Sequence, residues 1–206
     1  MTLPPPDVVE TLEQLESLFG EVGAPSLRKE VNFLHPVYQQ WIQASPFLVL
    51  ATSGPAGLDA SPRGDPAGRL VHVQDAHTLL LPERRGNNRI DSLRNILHHP
   101  QVGLLFFVPG VNETLRVNGR ARILSGADLL SRFVLDDKLP RCVLEISVET
   151  AFFQCGRAMV RSGLWNHNEP ARVPSAGEML QALTAGDIGG QQYDDTLPQR
   201  QRETLY

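Results

Sequence analysis

The first periodicity along the chain is helical. Val8, Leu12, Leu15, Leu18 and Phe19 recur at helical spacing, Asp7 with Glu10 has the form of a capping box ahead of them, and Gly20 stops the pattern. A second short helix is expected after Pro36, through VYQQWIQA to Ser45. From Pro46 the period becomes that of strands. FLVLATS (47–53), LDASPR (58–63), RLVHVQD (69–75) and HTLLLP (77–82) are short runs separated by Gly, Pro and Asp, and they read as a β-meander. A helix from Asn88 to His98 follows, buried through Ile90, Leu93, Ile96 and Leu97. Two long strands, QVGLLFFVP (101–109) and ETLRVNGRARIL (113–124), are joined by a turn at Gly110–Val111–Asn112. Ser125 with Asp128 predicts a cap for the short helix ADLLSRF, and RCVLEISV (141–148) predicts another strand before a helix around Ala151–Arg161. Beyond Asn166 the chain turns polar and rich in Pro and Gly. A capping box at Ser175–Glu178 predicts one more helix there, and QQYDDTLPQRQRETLY reads as a loose tail.

About six strands with a few peripheral helices, and no βαβαβ alternation, predict a mainly β (α+β) fold: a small barrel with helical additions rather than a doubly wound sheet. At 206 residues one domain is expected, with a helical segment over 1–45, a barrel core over 46–165 and an extension over 166–206.

Charge narrows the function classes. The chain carries a net −4, which disfavours general nucleic-acid or anionic-membrane binding. Yet nine arginines and five acids lie between Arg63 and Arg122, a local +4 that leaves −8 for the remainder. Lys29 and Lys138 are the only lysines, so positive charge is almost all guanidinium, which favours one focused anion site. Cys142 and Cys155 have no CxxC spacing, and the N-terminal stretch lacks the basic-then-apolar order of a secretory signal. Free, buried thiols and a cytoplasmic location are expected. No apolar run approaches membrane-spanning length.

Several chemistries have no motif here: the phosphate loop GxxxxGKS/T, GxGxxG after a strand, GxSxG, HExxH and paired-cysteine zinc spacing. The six histidines are scattered; the adjacent His98 and His99 would point about 100° apart on a helix and make a poor metal pair. His72, between Val71 and Val73, reads as an outward strand residue, and Arg132, Asp136, Asp137 and Lys138 as solvated loop charges.

The densest candidate chemistry is LLLPERRGNNRIDSLRNIL (79–97). A strand, a basic turn and a helix start suit an anion, because the first amides of a helix point outward and Arg84, Arg85 and Arg89 add full charges. The same segment also reads as a solvated basic turn closing a βα connection. Two further segments place polar residues where a barrel strand should be bland. These are Ser61–Pro62–Arg63–Gly64–Asp65, and Asn112 to Gly119, in which Thr114, Arg116 and Asn118 alternate onto one face. Converging at a barrel mouth, they would suit a flat heteroaromatic ring with a phosphate tail.

SPRGD, PERRGNNRIDSLRNIL and GLLFFVPGVNETLRVNGRARI together resemble the pyridoxamine 5′-phosphate oxidase-like, FMN-binding split-barrel superfamily, and more closely a bacterial subfamily of FMN-dependent enzymes. The likeness extends to RSGLW (161–165) and to Leu205–Tyr206. It implies a six-stranded split β-barrel working as a homodimer, with FMN at the subunit interface and a small-molecule substrate. It implies that Arg63 and the helix-start residues Asn87, Asn88 and Arg89 hold the phosphate. Asn88 stands where the oxidases carry arginine, and Arg85 is the expected charge substitute. Ser61, Arg63, Gly64 and Asp65 would lie along the ring, Thr114 and Arg116 would meet its polar edge, and Arg161 and Trp165 would close the site. The paired Arg-x-His of the oxidases is absent from QRQRETLY, so pyridoxine phosphate is not the expected substrate. Phe153–Gln154–Cys155–Gly156–Arg157 replaces the histidine-and-lysine pattern of nearer relatives, and no catalytic acid or base is assigned. The expected function is FMN-dependent oxidoreduction. The rivals are a non-catalytic flavin carrier or sensor, and a barrel holding haem or the deazaflavin F420. For haem, His35, His77 and His167 are the loose axial candidates.

Overall fold

A computed structural model describes residues 8–166 and 173–206. Residues 1–30 and 31–206 form two compact units. In the first, α1 (Leu12–Ser17) and α2 (Ala24–Arg28) are single turns or little more, with no buried residues. The capping box of α1 is Thr11 with Gln14, not Asp7 with Glu10: the Thr11 hydroxyl accepts from the Gln14 amide, and the Gln14 side chain accepts from the Thr11 amide. Asp7 lies outside the described residues. The apolar spacing that predicted a longer helix is spent on exposed side chains, Leu12, Leu15, Leu18 and Phe19 among them.

The second unit opens with α3 (Pro36–Ala44), where expected, with Pro36 at the first helical position and the His35 ring accepting from the Val37 amide. Seven strands follow in one antiparallel sheet, in the order β2-β1-β5-β6-β7-β4-β3. They are β1 (Phe47–Gly54), β2 (Gly57–Gly64), β3 (His72–Asp75), β4 (Thr78–Glu83), β5 (Gln101–Phe107), β6 (Thr114–Leu124) and β7 (Cys142–Gln154). The strand beyond the expected six is the four-residue β3. The expected meander is instead two hairpins at opposite edges: β1–β2 turns tightly at Gly57 (φ 110°), β3 pairs only β4, and β2 never meets β3.

One long strand joins the halves. The first residues of β7, Cys142–Ser147, pair β4, while nearly the whole strand pairs β6. The expected helix over Ala151–Arg161 is therefore strand as far as Gln154, and only α6 (Arg157–Ser162) is helical. Leu144, Ile146 and Val148 face inward, and past the extra residue Glu149 the inward face resumes at Ala151, fully buried opposite Val117. The ladder slips between Asn118 and Gly119, and any Cβ at Gly119 would collide with the Ser147 carbonyl. Leu48, Leu50, Leu104, Phe106, Leu115, Val117, Leu144 and Ile146 fill the interior, with Ile42 of α3 closing over them.

The sheet does not close. Arg63 on edge strand β2 donates from Nε to Glu83 Oε1 of β4 at 2.8 Å, so the sheet curls until an ion pair spans its gap. This is a split-barrel arrangement. Lying against the sheet beside the gap is α4 (Asp91–His98), shorter than the expected Asn88–His98 because Asn88 (φ 59°) and Ile90 (φ 54°) are left-handed. Its buried face is Ser92, Asn95 and Ile96, whereas Ile90 and Leu97 are exposed. The helix is docked by polar contacts as well as apolar ones. Asn95 Nδ2 donates to Thr52 Oγ1 at 3.1 Å, and Ser92 Oγ donates to Asp59 Oδ2 at 2.6 Å. A Cβ at Gly54 would strike Asn95, so that glycine lets the helix approach.

Three shorter elements differ from expectation or meet it. In α5 (Ala127–Ser131) the N-cap is Gly126, with no side-chain cap from Ser125. In α7 (Ala176–Leu183) the predicted Ser175–Glu178 box is present. The expected loose tail is α8 (Gln191–Glu203), joined to α7 by the Asp194 carboxylate, which accepts from the Ser175 hydroxyl and the Gly177 amide. Cys142 is buried as expected, but Cys155 is exposed.

Candidate functional site

A cavity of about 360 Å³ opens where the sheet is split. Its walls come from β2, the end of β4, the turn after it, the start of α4, and Arg141 just before β7. The inward face of β2 is Asp59, Ser61 and Arg63, half-buried at alternate positions, while Leu58, Ala60 and Pro62 face out. Pro62 costs the sheet little on an edge strand.

Most of the cations here are already held by acids. Arg63 Nε donates to Glu83, and its Nη1 donates to Ser61 Oγ and to the Pro62 carbonyl, both at 3.0 Å. Arg84 Nε donates to Asp65 Oδ2 at 2.9 Å and its Nη1 to the Phe133 carbonyl at 2.6 Å. Arg89 Nε donates to Asp91 Oδ2 at 2.8 Å, an exposed pair that opens at little cost. Arg85 and Arg141 line the same space with no carboxylate in ion-pair reach among the described residues. Ile90, the N-cap of α4, has no side chain able to cap, so the first amides of the helix are left to an outside acceptor. Asn87 Oδ1 accepts from the Arg89 amide, which shapes the turn rather than capping the helix.

A second network sits on the β2–α4 side. Asp59 Oδ2 accepts from Ser92 Oγ at 2.6 Å and from Ser61 Oγ at 3.3 Å, and the two serine oxygens are 2.8 Å apart. Ser92 gives its proton to the carboxylate at the shortest of these contacts, and Ser61 Oγ, which also accepts from Arg63 Nη1, ties the serine pair to the arginine.

Eight of the twelve residues expected at the site meet in this cavity: Ser61, Arg63, Gly64, Asp65, Arg85, Asn87, Asn88 and Arg89. Thr114, Arg116, Arg161 and Trp165 are not brought to it within the chain. Thr114 is buried and its hydroxyl lies 3.4 Å from Gln154 Oε1. Arg116 is exposed, its guanidinium 5.5 Å from the Phe152 ring centre. Trp165 Nε1 donates to the Val111 carbonyl at 2.9 Å, beside the β5–β6 turn. No histidine lines the cavity among the described residues; His35 caps α3, the His77 ring lies 3.2 Å from the Asn32 carbonyl, and His167 falls outside them.

Residue-level prediction missed Asp59, Glu83, Ser92 and Arg141 at the cavity. Asp59 shares the i, i+2, i+4 face of Ser61 and Arg63, a signal that was readable; Arg141 is distant in sequence and had none. Tyr206 was also missed: its ring lies 5.9 Å from the Arg84 guanidinium carbon. Asp65 is buried, and its Oδ1 has no hydrogen-bond partner among the described residues, which costs about 1–3 kcal/mol when left unmet. Cys142, next to Glu83 across the β4–β7 ladder, is no nucleophile at neutral pH. Burial pushes its thiol up to about 11, with Glu83 adding to the shift and Arg63 opposing it.

The fold is a split antiparallel barrel with an arginine-lined cavity at its gap, a concave and basic space by its lining. The profile of the family described as pyridoxamine 5′-phosphate oxidase matches residues 34–155, more than half of the sequence, and the chain belongs to that family. Solved structures resemble part of it. HupZ from Group A Streptococcus is 20% identical, with 56% of this chain and 91% of that one covered and a TM-score of 0.44. General Stress Protein 26 from Bacillus anthracis str. Sterne is 18% identical, with 56% and 88% covered and a TM-score of 0.38. A FAD-binding protein from Mesorhizobium loti is 15% identical, with 60% and 97% covered and a TM-score of 0.38. At these values the likenesses say nothing of function. No curated protein matches the sequence significantly. Among the described residues no helix is long and apolar enough to cross a membrane, and no group of three or more His, Cys, Asp or Glu side chains could hold a metal ion.

Proposed function

We propose that the cavity at the split holds FMN and that the protein is a flavin-dependent oxidoreductase acting on a small molecule. The observation that carries this reading is the meeting, in one cavity of flavin-compatible size, of an uncapped helix start with two arginines that no acid among the described residues neutralises. Arg85, Arg141 and the first amides of α4 would take the phosphate, with Arg89 released from Asp91 to join them. Asp59, Ser61 and Ser92 offer acceptors suited to the hydroxyls of a sugar-alcohol chain. Bound FMN would supply electron-pair transfer; this chain's residues hold it, exclude water and set the field around it.

The same reading assigns the four residues outside the cavity to a second copy of the chain. Thr114, Arg116, Arg161 and Trp165 would complete the site of the partner in a homodimer. Thr114 or Arg116 would there hydrogen-bond the polar edge of the ring and favour the negative charge that gathers on it during reduction.

Titrating FMN into the purified chain, with flavin fluorescence as the signal, tests the assignment. The account predicts saturable quenching that Arg85→Ala weakens. Anaerobic addition of NADH or NADPH then separates enzyme from carrier: bleaching of the bound flavin supports turnover, and a flavin that binds but is never reduced supports the carrier. Failure to bind FMN at all overturns both.

A further inference from the structure

The wall of the cavity formed by Asp65 and Arg84 is incomplete in one respect. Asp65 gives one carboxylate oxygen to Arg84, while the other, Oδ1, is buried with no partner among the described residues. Arg84 is fixed on two sides, by Asp65 and by the Phe133 carbonyl. The Tyr206 ring lies against the guanidinium of that same arginine, and its side chain is half-buried there. Nothing in the strand and turn pattern places residue 206 near residues 65 and 84; the meeting is a property of the folded chain.

We infer that Tyr206 is a positioning residue of the cavity, its ring covering Arg84 and its hydroxyl serving as the donor that Asp65 Oδ1 lacks. The groups facing the phenol are consistent with this. Burial, then the charges of Asp65 and Asp136, push its ionisation up, and Arg84 acts in the opposite direction. The phenol therefore keeps its proton at neutral pH and can donate it in a hydrogen bond. Covering the pair excludes water from it, which strengthens the hold of Arg84 on Asp65. Through Asp65 it steadies the Ser61–Asp65 segment, whose Asp65 amide is also tied to the Pro46 carbonyl at 3.1 Å. This goes beyond the flavin assignment. The effect on FMN affinity rests on that assignment; the contact itself does not.

Two measurements on the full chain test it. In the first, tyrosines carrying a ¹³C label at the ring carbon bonded to oxygen are titrated by NMR, with Tyr206→Phe assigning the signal. The inference expects Tyr206 to titrate above the usual tyrosine range of about 10 while the protein remains folded. Titration at the ordinary value overturns the contact, whether or not the protein binds flavin. In the second, FMN affinity is compared across wild type, Tyr206→Phe and Tyr206→Ala, with circular dichroism confirming that each is folded. A loss of about ten-fold in the alanine variant, with phenylalanine intermediate, supports the positioning role. Equal affinity in wild type and alanine overturns that role, and a phenylalanine variant indistinguishable from wild type overturns the part given to the hydroxyl. If wild type takes up no FMN, the flavin assignment fails and the NMR titration alone decides the contact.

Discussion

Arg63 and Arg116 both stand on strands of alternating side chains, Arg63 on the inward face of β2 and Arg116 on the exposed face of β6, and the chain treats them differently. Arg63 is drawn into the split, bonded to Glu83 and Ser61. Arg116 is left in the open over Phe152. The first belongs to a region that one chain completes by local means: a hairpin edge, a strand end, a turn and a helix start converge because the sheet curls once. The second stands exposed on β6 and takes no part in lining the cavity at the split. On the proposed reading the first region is the half of the site that a single chain builds, with Arg63 paired to Glu83 while Arg85 and Arg141 stay free for an anion.

Substitutions at these positions sharpen that contrast, and the largest effect is expected at Arg63. Arg63→Ala leaves Glu83, 9% exposed, without its partner, and should cost about 3 kcal/mol of stability in urea unfolding. Arg116→Ala should stay within about 0.5 kcal/mol. An equal cost at both positions would break the comparison. Next comes the anion. The double variant Arg85→Ala/Arg141→Ala should lose about 10- to 100-fold in FMN affinity, measured by fluorescence, with an unchanged melting temperature. Neither guanidinium supports an ion pair that the fold needs. Arg89→Ala should weaken FMN several-fold, less than the double variant, since Arg89 must first leave Asp91. A smaller and more telling effect is expected at Arg116 itself. If a second copy supplies it, Arg116→Ala weakens FMN by a few-fold at protein concentrations where the dimer forms, and not where sedimentation shows monomer. A loss that ignores oligomeric state would remove the partner role.

The strands and the basic turn were legible in the sequence because their signals are local. Alternation in 47–53 and 113–124, and the strand–arginine–helix order of 79–97, need only neighbouring residues. What was misplaced depends on distant contacts. Ile90 and Leu97 fit an apolar stripe, but α4 turns Ser92 and Asn95 to the sheet because Asp59 and Thr52 are there to receive them. The last helix was mistaken for a tail because its residues are polar and Pro198 lies inside it; Asp194 bonding across to Ser175 and Gly177 is what ties it down. Ala151–Gln154 looked helical until β6 is seen to run long enough to pair them. Within the site, the arginines of the turn were found, and of the acids that hold the arginines only Asp65 was among the expected residues, since an acid beside an arginine reads in sequence as simple surface charge.

The two cysteines give the mildest contrast. Native protein at pH 8 should show one readily modified thiol, Cys155, and two after denaturation. The folded Cys142 thiol ionises at about 11, above its unfolded range of about 8.5. Its contribution to stability is therefore whole below that range, and is lost as pH rises through 11.

The central claim is that the split holds FMN, and its most direct test is the absorbance spectrum of the freshly purified protein, followed by mass identification of whatever heat releases. The account predicts the two visible-range bands of oxidised flavin, and a released molecule with the mass of FMN. A colourless protein that also fails to take up added FMN, or one that releases haem, would contradict it and return the arginines of the turn to the role of solvated charge.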